Sequence, residues 1–228
     1  MHAPDGFIGA PASIVTGLAA AAGVAVCLRG AQRELDDRTA PLAGLTAAFV
    51  FAAQMLNFPV AGGTSGHLLG GTLAAILVGP YTGVLVVSVV LLAQALLFAD
   101  GGLTALGLNV CNMALATVLV GYLVFRLLLR VLPRTRASVT AASFVAAVIS
   151  VPAAAVSFTL IYAIGGATDV PVSKFGTAMI GVHVLIGLGE AVITALTVSS
   201  VLAVRPDLVY GARGLIKPLE LKTQGAPA

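Results

Sequence analysis

The chain has 228 residues, 59% of them hydrophobic and only 9% charged, whereas soluble domains carry about a quarter charged residues. That composition excludes an ordinary soluble domain, and a net charge of +3 would point to nucleic acid only if it clustered on a soluble face. Cys27 and Cys111 both lie inside apolar stretches, which argues against a structural disulfide and leaves the redox compartment open.

In chain order, Met1-His2-Ala3-Pro4-Asp5-Gly6-Phe7 comes first. A bulky residue in second place disfavours removal of an initiator methionine, so Met1 is expected to keep its free amine. No Lys or Arg precedes Arg29, so the start lacks the positive region of a signal peptide and reads as mature. About 20 apolar residues cross a bilayer. On that basis spans are expected at 8–28, 40–56, 67–79, 81–99, 103–132, 138–164 and 175–204. Between them lie a charged connection at 29–38, a glycine-rich stretch at 57–66, the Gly79-Pro80 corner, the turn Asp100-Gly101-Gly102 and the link Pro133-Arg134-Thr135-Arg136.

The expected fold class is therefore all-α, a multi-pass membrane protein with seven transmembrane helices. One domain, 1–204, combines a hook at 1–7 with the helices, and 205–228 is a cytoplasmic polar tail. Lys and Arg collect in cytoplasmic loops. With the N-terminus outside and the C-terminus inside, Arg29, Arg33, Arg38, Arg126, Arg130, Arg134, Arg136, Arg205, Arg213, Lys217 and Lys222 all fall inside, leaving only Lys174 outside. The same topology gathers His2, the 62–67 loop and Asp100 on the outer face of the cell's inner (plasma) membrane.

Those residues suggest metal chemistry. The Met1 amine, the deprotonated amide nitrogen of His2 and His2 Nδ1 can close a five- and a six-membered chelate ring on one ion. His67, opening an apolar helix behind a loop built to bend, supplies a fourth nitrogen. Four nitrogens in a plane suit Ni(II) or Cu(II). Binding weakens at low pH because every donor must first shed its proton. Pro4 stiffens the chain after the chelate, and Asp5 is either a partner that fixes a histidine tautomer or a helix cap.

Other polar residues admit two readings. His183 and Glu190, seven apart on one helix face, form either a proton- or ion-linked element or a buried clasp that orders helices. Gln94, Asn109, Cys111, Asn112 and Met113 sit in spans four and five. A thiolate and a thioether could hold Cu(I), but Cys111 and Met113 point apart on a helix, so hydrogen bonding between helices by the two Asn residues is preferred. Gly63-Thr64-Ser65-Gly66 also fits the short GxSG pattern of rhomboid-type intramembrane serine proteases, with His183 as base for Ser65. That reading leaves the hook and His67 unexplained. Metalloprotease, Walker A and nucleotide fingerprints are absent. Finally, Ala40, Gly44, Ala48 and Ala52 repeat at four-residue spacing, as do Gly17, Ala21 and Ala25. Such stripes serve internal packing or docking to another membrane subunit.

Taken together, the hook, Asn57-Phe58-Pro59-Val60, Gly63-Thr64-Ser65-Gly66-His67-Leu68-Leu69-Gly70-Gly71, Gln94 through Gly102, and His183 through Thr194 resemble the CbiM/NikM family. These are the substrate-capturing membrane components of energy-coupling-factor transporters for cobalt and nickel. Ala3 departs from the larger aliphatic residue often found there.

The resemblance implies seven helices and chelation by Met1, His2 and His67. Asp5, Thr64, Ser65, Gly66, Gln94, Asn109 and His183 would lie in the site loop or behind the donors, and Ala40, Gly44, Ala48 and Ala52 on the coupling surface. It also implies a membrane coupling component, paired cytoplasmic ATPases and in some systems a small accessory membrane subunit. No nucleic acid is involved. The chain would be a transporter subunit without its own ATPase site. It would need no catalytic cofactor, and its cargo would be Co2+ or Ni2+, with cobalt for cobalamin biosynthesis slightly preferred. Copper is the alternative metal.

Overall fold

The computed structural model describes residues 1–37 and 39–216; Arg38 and the tail from 217, with Lys217 and Lys222, lie outside the described residues. The helices are α1 (Ala10–Ala31), α2 (Ala40–Gln54), α3 (Gly71–Val78), α4 (Pro80–Leu97), α5 (Leu106–Val131), α6 (Arg136–Gly165) and α7 (Val172–Val204). Within α5, Val110–Ala116 is wound as a π-helix. Two short strands, β1 (Phe58–Pro59) and β2 (Ser65–Gly66), pair antiparallel with Phe58 opposite Gly66.

Proline marks several starts. Pro11, Pro41 and Pro80 lie in the first turns of α1, α2 and α4, where a missing N–H breaks no helical bond. The start of α4 is also capped by a buried acid: Glu34, from the α1–α2 connection, accepts from the N–H groups of Tyr81 (3.2 Å) and Thr82 (2.7 Å). A carboxylate there complements the helix dipole.

Five helices, α1, α4, α5, α6 and α7, are long and apolar enough to cross a membrane. Their outward faces carry large exposed apolar side chains such as Leu18, Leu119, Leu185 and Leu196. A belt of this kind belongs against lipid, because soluble monomers rarely expose contiguous apolar surface on that scale.

The two remaining elements are shorter than a full span. At 1.5 Å per residue, α2 rises only about 22 Å and α3 about 12 Å, short of the roughly 30 Å hydrocarbon core. The expected span 67–79 is helical only over Gly71–Val78, and all eight of those residues are buried. Its first part cannot be helix because Gly70 sits at φ +77° and the N–H groups of Leu69 and Gly70 are taken by Glu190. So α3 is a half-helix enclosed by the bundle, not a lipid-facing span. It lies so close to α5 that a Cβ on Gly71 or Gly121 would strike Thr117 or Thr72.

The stripe Ala40, Gly44, Ala48 and Ala52 faces outward along α2. A Cβ on Gly44 would meet nothing within 4 Å, so this stripe is not used for internal packing. Helix α1 differs: its Gly17 receives Gly107 of α5 at close quarters, while Ala21 and Ala25 are exposed.

Candidate metal site

The hook is not a loose tail. Met1, His2, Ala3 and Phe7 are all buried, and each is held by a different part of the fold. Phe7 fills an aromatic cage of Phe158, Tyr162 and Phe175, with centroids 5.5, 5.1 and 5.5 Å away. Its carbonyl accepts from Ala167 N at 3.0 Å, which ties the hook to the α6–α7 loop. Asn109 grips Ala3 from both sides, its Oδ1 accepting from Ala3 N (2.9 Å) and its Nδ2 donating to Ala3 O (3.3 Å). Gly102 N also donates to Ala3 O at 2.8 Å. That approach needs glycine, since a Cβ on Gly102 would strike Asp5 N and Pro4 C.

These contacts deliver the first two residues to His67. The Met1 nitrogen touches His67 Nε2, and the His2 and His67 rings stack with centroids 4.5 Å apart and planes 28° from parallel. His67 Nδ1 lies 2.7 Å from Leu68 O, a bond that requires Nδ1 to carry the proton and leaves Nε2 a lone pair toward the amine. The backbone beyond it is clamped from two sides. Glu190 of α7 accepts from Leu69 N (2.6 Å) and Gly70 N (3.0 Å), and Gln54 Nε2 donates to Leu69 O (2.8 Å).

His2 has its own partners. Its Nδ1 lies 3.1 Å from Asp100 Oδ1, while Asp100 Oδ2 accepts from Asn57 Nδ2 at 3.0 Å. Its amide donates to Ser65 Oγ, and Ser65 N donates back to His2 O, both at 3.3 Å. Burial lowers the basicity of the Met1 amine well below its ordinary value of 8.0, against the opposing charges of Asp100 and Glu190. Burial also lowers the His2 imidazole, with the Asp100 hydrogen bond opposing it. For Asp100, burial acts upward but the hydrogen bond and charge of His2 outweigh it, so the carboxyl stays below its usual range.

Several sequence expectations land elsewhere. Asp5 is no histidine partner: it is exposed, and its Oδ1 accepts from Thr104 N (2.8 Å) and Thr104 Oγ1 (2.7 Å), pinning the hook to the turn before α5. Thr64 closes its own loop through Ala61 O at 2.6 Å. Gly66 is a spacing residue, because a Cβ there would come within 2.9 Å of both Phe58 and Val60. Gln94 is fully buried in α4 beside the His2 ring, whose basicity it helps to hold up.

His183 and Glu190 do not pair: His183 Nδ1 lies 2.7 Å from Met179 O of its own helix, its Nε2 has no hydrogen-bond partner among the described residues, and Glu190 serves the His67 backbone. Nor do the two Asn residues bridge helices, since Asn109 holds the hook and Asn112 Nδ2 turns to Leu108 O at 3.1 Å. With Ser65 bonded to His2 and His183 to Met179, no described hydrogen bond joins the two, and the protease reading is unsupported. Residues absent from the expected set are Asp100, which topology had already placed on this face, its partner Asn57, and Gln54 and Glu190 behind the His67 backbone.

Among the described residues no three His, Cys, Asp or Glu side chains gather as a metal cage. What the site offers is nitrogen: an amine, a backbone amide and two imidazoles in a buried pocket.

The chain is similar to known proteins over most of its length. Residues 2–208 match the CbiM family, described as the cobalt uptake substrate-specific transmembrane region. A putative metal transport protein of Haloquadratum walsbyi is 39% identical over 210 residues, covering 92% of this chain and 94% of that protein. A putative fused nickel transport protein, NikMN, of Archaeoglobus fulgidus is 42% identical over 213 residues, covering 92% and 68%. A crystal structure of a transition metal transporter superposes with a TM-score of 0.79 at 31% identity, covering 90% and 93%. The chain is a membrane protein of the CbiM family of cobalt and nickel transport proteins.

Proposed function

We propose that this chain is the substrate-capturing membrane component of an energy-coupling-factor importer for Co2+ or Ni2+. The ion is held by the Met1 amine, the His2 amide nitrogen, His2 Nδ1 and His67 Nε2. The observation that carries this reading is the Met1 nitrogen against the free lone pair of His67 Nε2, inside a pocket that also buries the His2 ring. The cobalt in the family's description and the nickel in the A. fulgidus relative's name support the choice of ion.

Capture requires rearrangement at His2. His2 Nδ1 faces Asp100, and a nitrogen that bonds a carboxylate through its proton cannot give its lone pair to a metal. The imidazole must therefore turn from Asp100 toward the amine and lose that proton, while the amide proton that points at Ser65 Oγ also leaves. Asp100 is the partner that holds the ring until the ion arrives, and its charge attracts the cation.

The same reading includes seven membrane-inserted helices, an outer hook and an inner C-terminus, supported by the placement of Lys and Arg. Coupling to a second membrane component and paired ATPases is part of it, with Ala40, Gly44, Ala48 and Ala52 as the docking stripe, supported by their outward position on α2. The test is metal analysis of the purified chain after exposure to equimolar Co2+, Ni2+ and Cu2+. One tightly held cobalt or nickel ion per chain is expected. A chain that holds none at neutral pH would overturn the proposal.

A further inference from the structure

At the end of the bundle away from the hook, α1, α4 and α5 enclose a groove of about 600 Å³, walled by Cys27, Val84, Leu115, Val118, Leu119 and Leu123. It ends in a polar mouth made by Tyr81, Tyr122, Arg126 and Arg130. We infer that this groove binds one anionic phospholipid, an acyl chain lying along the apolar wall and the phosphate between Arg126 and Arg130.

Depth is the first argument. Helix α5 passes the hook at Asn109, and at 1.5 Å per residue Arg126 and Arg130 lie about 25 and 31 Å further along it. That is roughly one hydrocarbon thickness, so the arginines sit where headgroups lie at the opposite membrane surface. The exposed side chains of Leu119 and Leu123 occupy the stretch between.

Charge is the second. Arg126 and Arg130, four residues apart, share one helix face and are both exposed. Neither arginine belongs to the His2–Asp100 or the Arg205–Asp207 pair. Of the acids in the α1–α2 connection, Glu34 is buried with both oxygens accepting from the first turn of α4, while Asp36 and Asp37 are exposed. Arg213, also at this end, stacks over Tyr210, whose ring lies 6.4 Å from that of Tyr122. The groove therefore ends in a cluster of arginines with tyrosine hydroxyls beside it, Tyr122 serving as a hydrogen-bond partner of Arg126. A guanidinium pair matches a phosphate in charge and geometry, and basic pockets between membrane helices on the cytoplasmic side are sites for anionic headgroups.

Size is the third. At about 600 Å³ the groove has room for an acyl chain along its apolar wall. The groove is a built feature of the packing. Gly23 and Gly30 bring α1 against Leu115 and the Tyr81 ring, where any side chain would clash.

The leaflet follows from the orientation proposed above; the preference for a negative headgroup does not depend on it. The test is native mass spectrometry of the full chain, delipidated in detergent and then incubated with dioleoyl-phosphatidylglycerol or dioleoyl-phosphatidylcholine. One phosphatidylglycerol per chain is expected to be retained, with about tenfold preference over phosphatidylcholine, and millimolar inorganic phosphate should not displace it. Arg126→Gln with Arg130→Gln should abolish the preference, the paired Lys variant should keep most of it, and Val118→Trp should reduce retention of both lipids. Equal retention of the two lipids by the unaltered chain would overturn the inference. So would an undiminished preference in the Gln pair, or loss of a copurified coupling subunit from the Gln pair without loss of lipid, which would give the groove to a protein.

Discussion

The Met1 nitrogen meets Nε2 of His67 across 66 positions of sequence, and the other ring nitrogen of His67 is turned away to Leu68 O. One hydrogen bond thus selects the tautomer in which His67 presents a lone pair to the chain's own amine. Removing that donor should be decisive. His67→Ala is expected to lower Co2+ or Ni2+ affinity by roughly hundredfold or more, beyond the 10–100-fold typical of outer partners, with the fold retained. Ser65→Ala removes only an acceptor 3.3 Å from the His2 amide and should cost less than about tenfold. Isothermal titration of both variants checks the order; equal losses would contradict it.

The pH response follows from the buried amine. An exposed amine stays largely protonated until about pH 8, but burial lowers that of Met1 in the folded chain. Between the lowered folded value and the unfolded value of 8.0, the unfolded chain binds more protons. Stability of the metal-free chain should therefore rise with pH through that window, level off above about 8, and fall as pH drops through the folded value. Metal affinity should fall in the same direction, because the donors must be deprotonated. Thermal unfolding of the metal-free chain from pH 5 to 9 reads the first effect. A stability that declines from pH 6 to 8 would contradict it.

Hook docking can be weakened without touching a donor. Asn109→Ala deletes both hydrogen bonds to Ala3 and leaves the buried Ala3 N–H unsatisfied, while Ala3 O keeps Gly102 N, at a cost of about 1–3 kcal/mol. Metal affinity should drop about tenfold to a hundredfold, and amide exchange of residues 2–7 should accelerate while α6 and α7 stay protected. Uniform acceleration through all helices would mean that Asn109 holds the whole fold instead.

Glu190 gives a parallel case on the other donor. Glu190→Gln can accept only one of the two bonds now made to Leu69 N and Gly70 N, and its amide would set a donor against the other N–H. Thermal stability and metal affinity should fall together. Glu190→Ala with normal metal affinity would show that Gln54 alone positions the His67 backbone.

On the outward stripe, Ala48→Trp should abolish copurification with the coupling subunit while metal binding is unchanged. Intact assembly would remove α2 from the docking surface.

How much of this was legible follows from what each residue's chemistry advertises. Met1, His2 and His67 are recognisable because their donor atoms match a chelate, and the positive-inside pattern put them on one face before any coordinates. Asp100 was visible on that face, but its pairing with His2 depends on a turn with Ala99 at φ +51° and Gly101 at φ +91°, conformations no hydropathy pattern encodes. Glu190 announced itself as a costly acid in an apolar helix. Its partners are backbone N–H groups, which look alike in every sequence, so a buried clasp could be expected from the sequence but not the segment it holds. The third span misled for a related reason: an apolar run bounded by glycines reads the same whether it faces lipid or, like α3, is enclosed by other helices.

The account stands on the terminal amine. Adding one residue before Met1 converts that amine to an amide and breaks the first chelate ring, and it also crowds the contact with His67 Nε2. Metal content of the purified chain beginning at Met1, measured beside the same chain with a single preceding glycine, is the most direct measurement. The account predicts about one cobalt or nickel ion per chain for the first and essentially none for the second, with matching thermal stability of the helical bundle. Equal metal content in the two would contradict it.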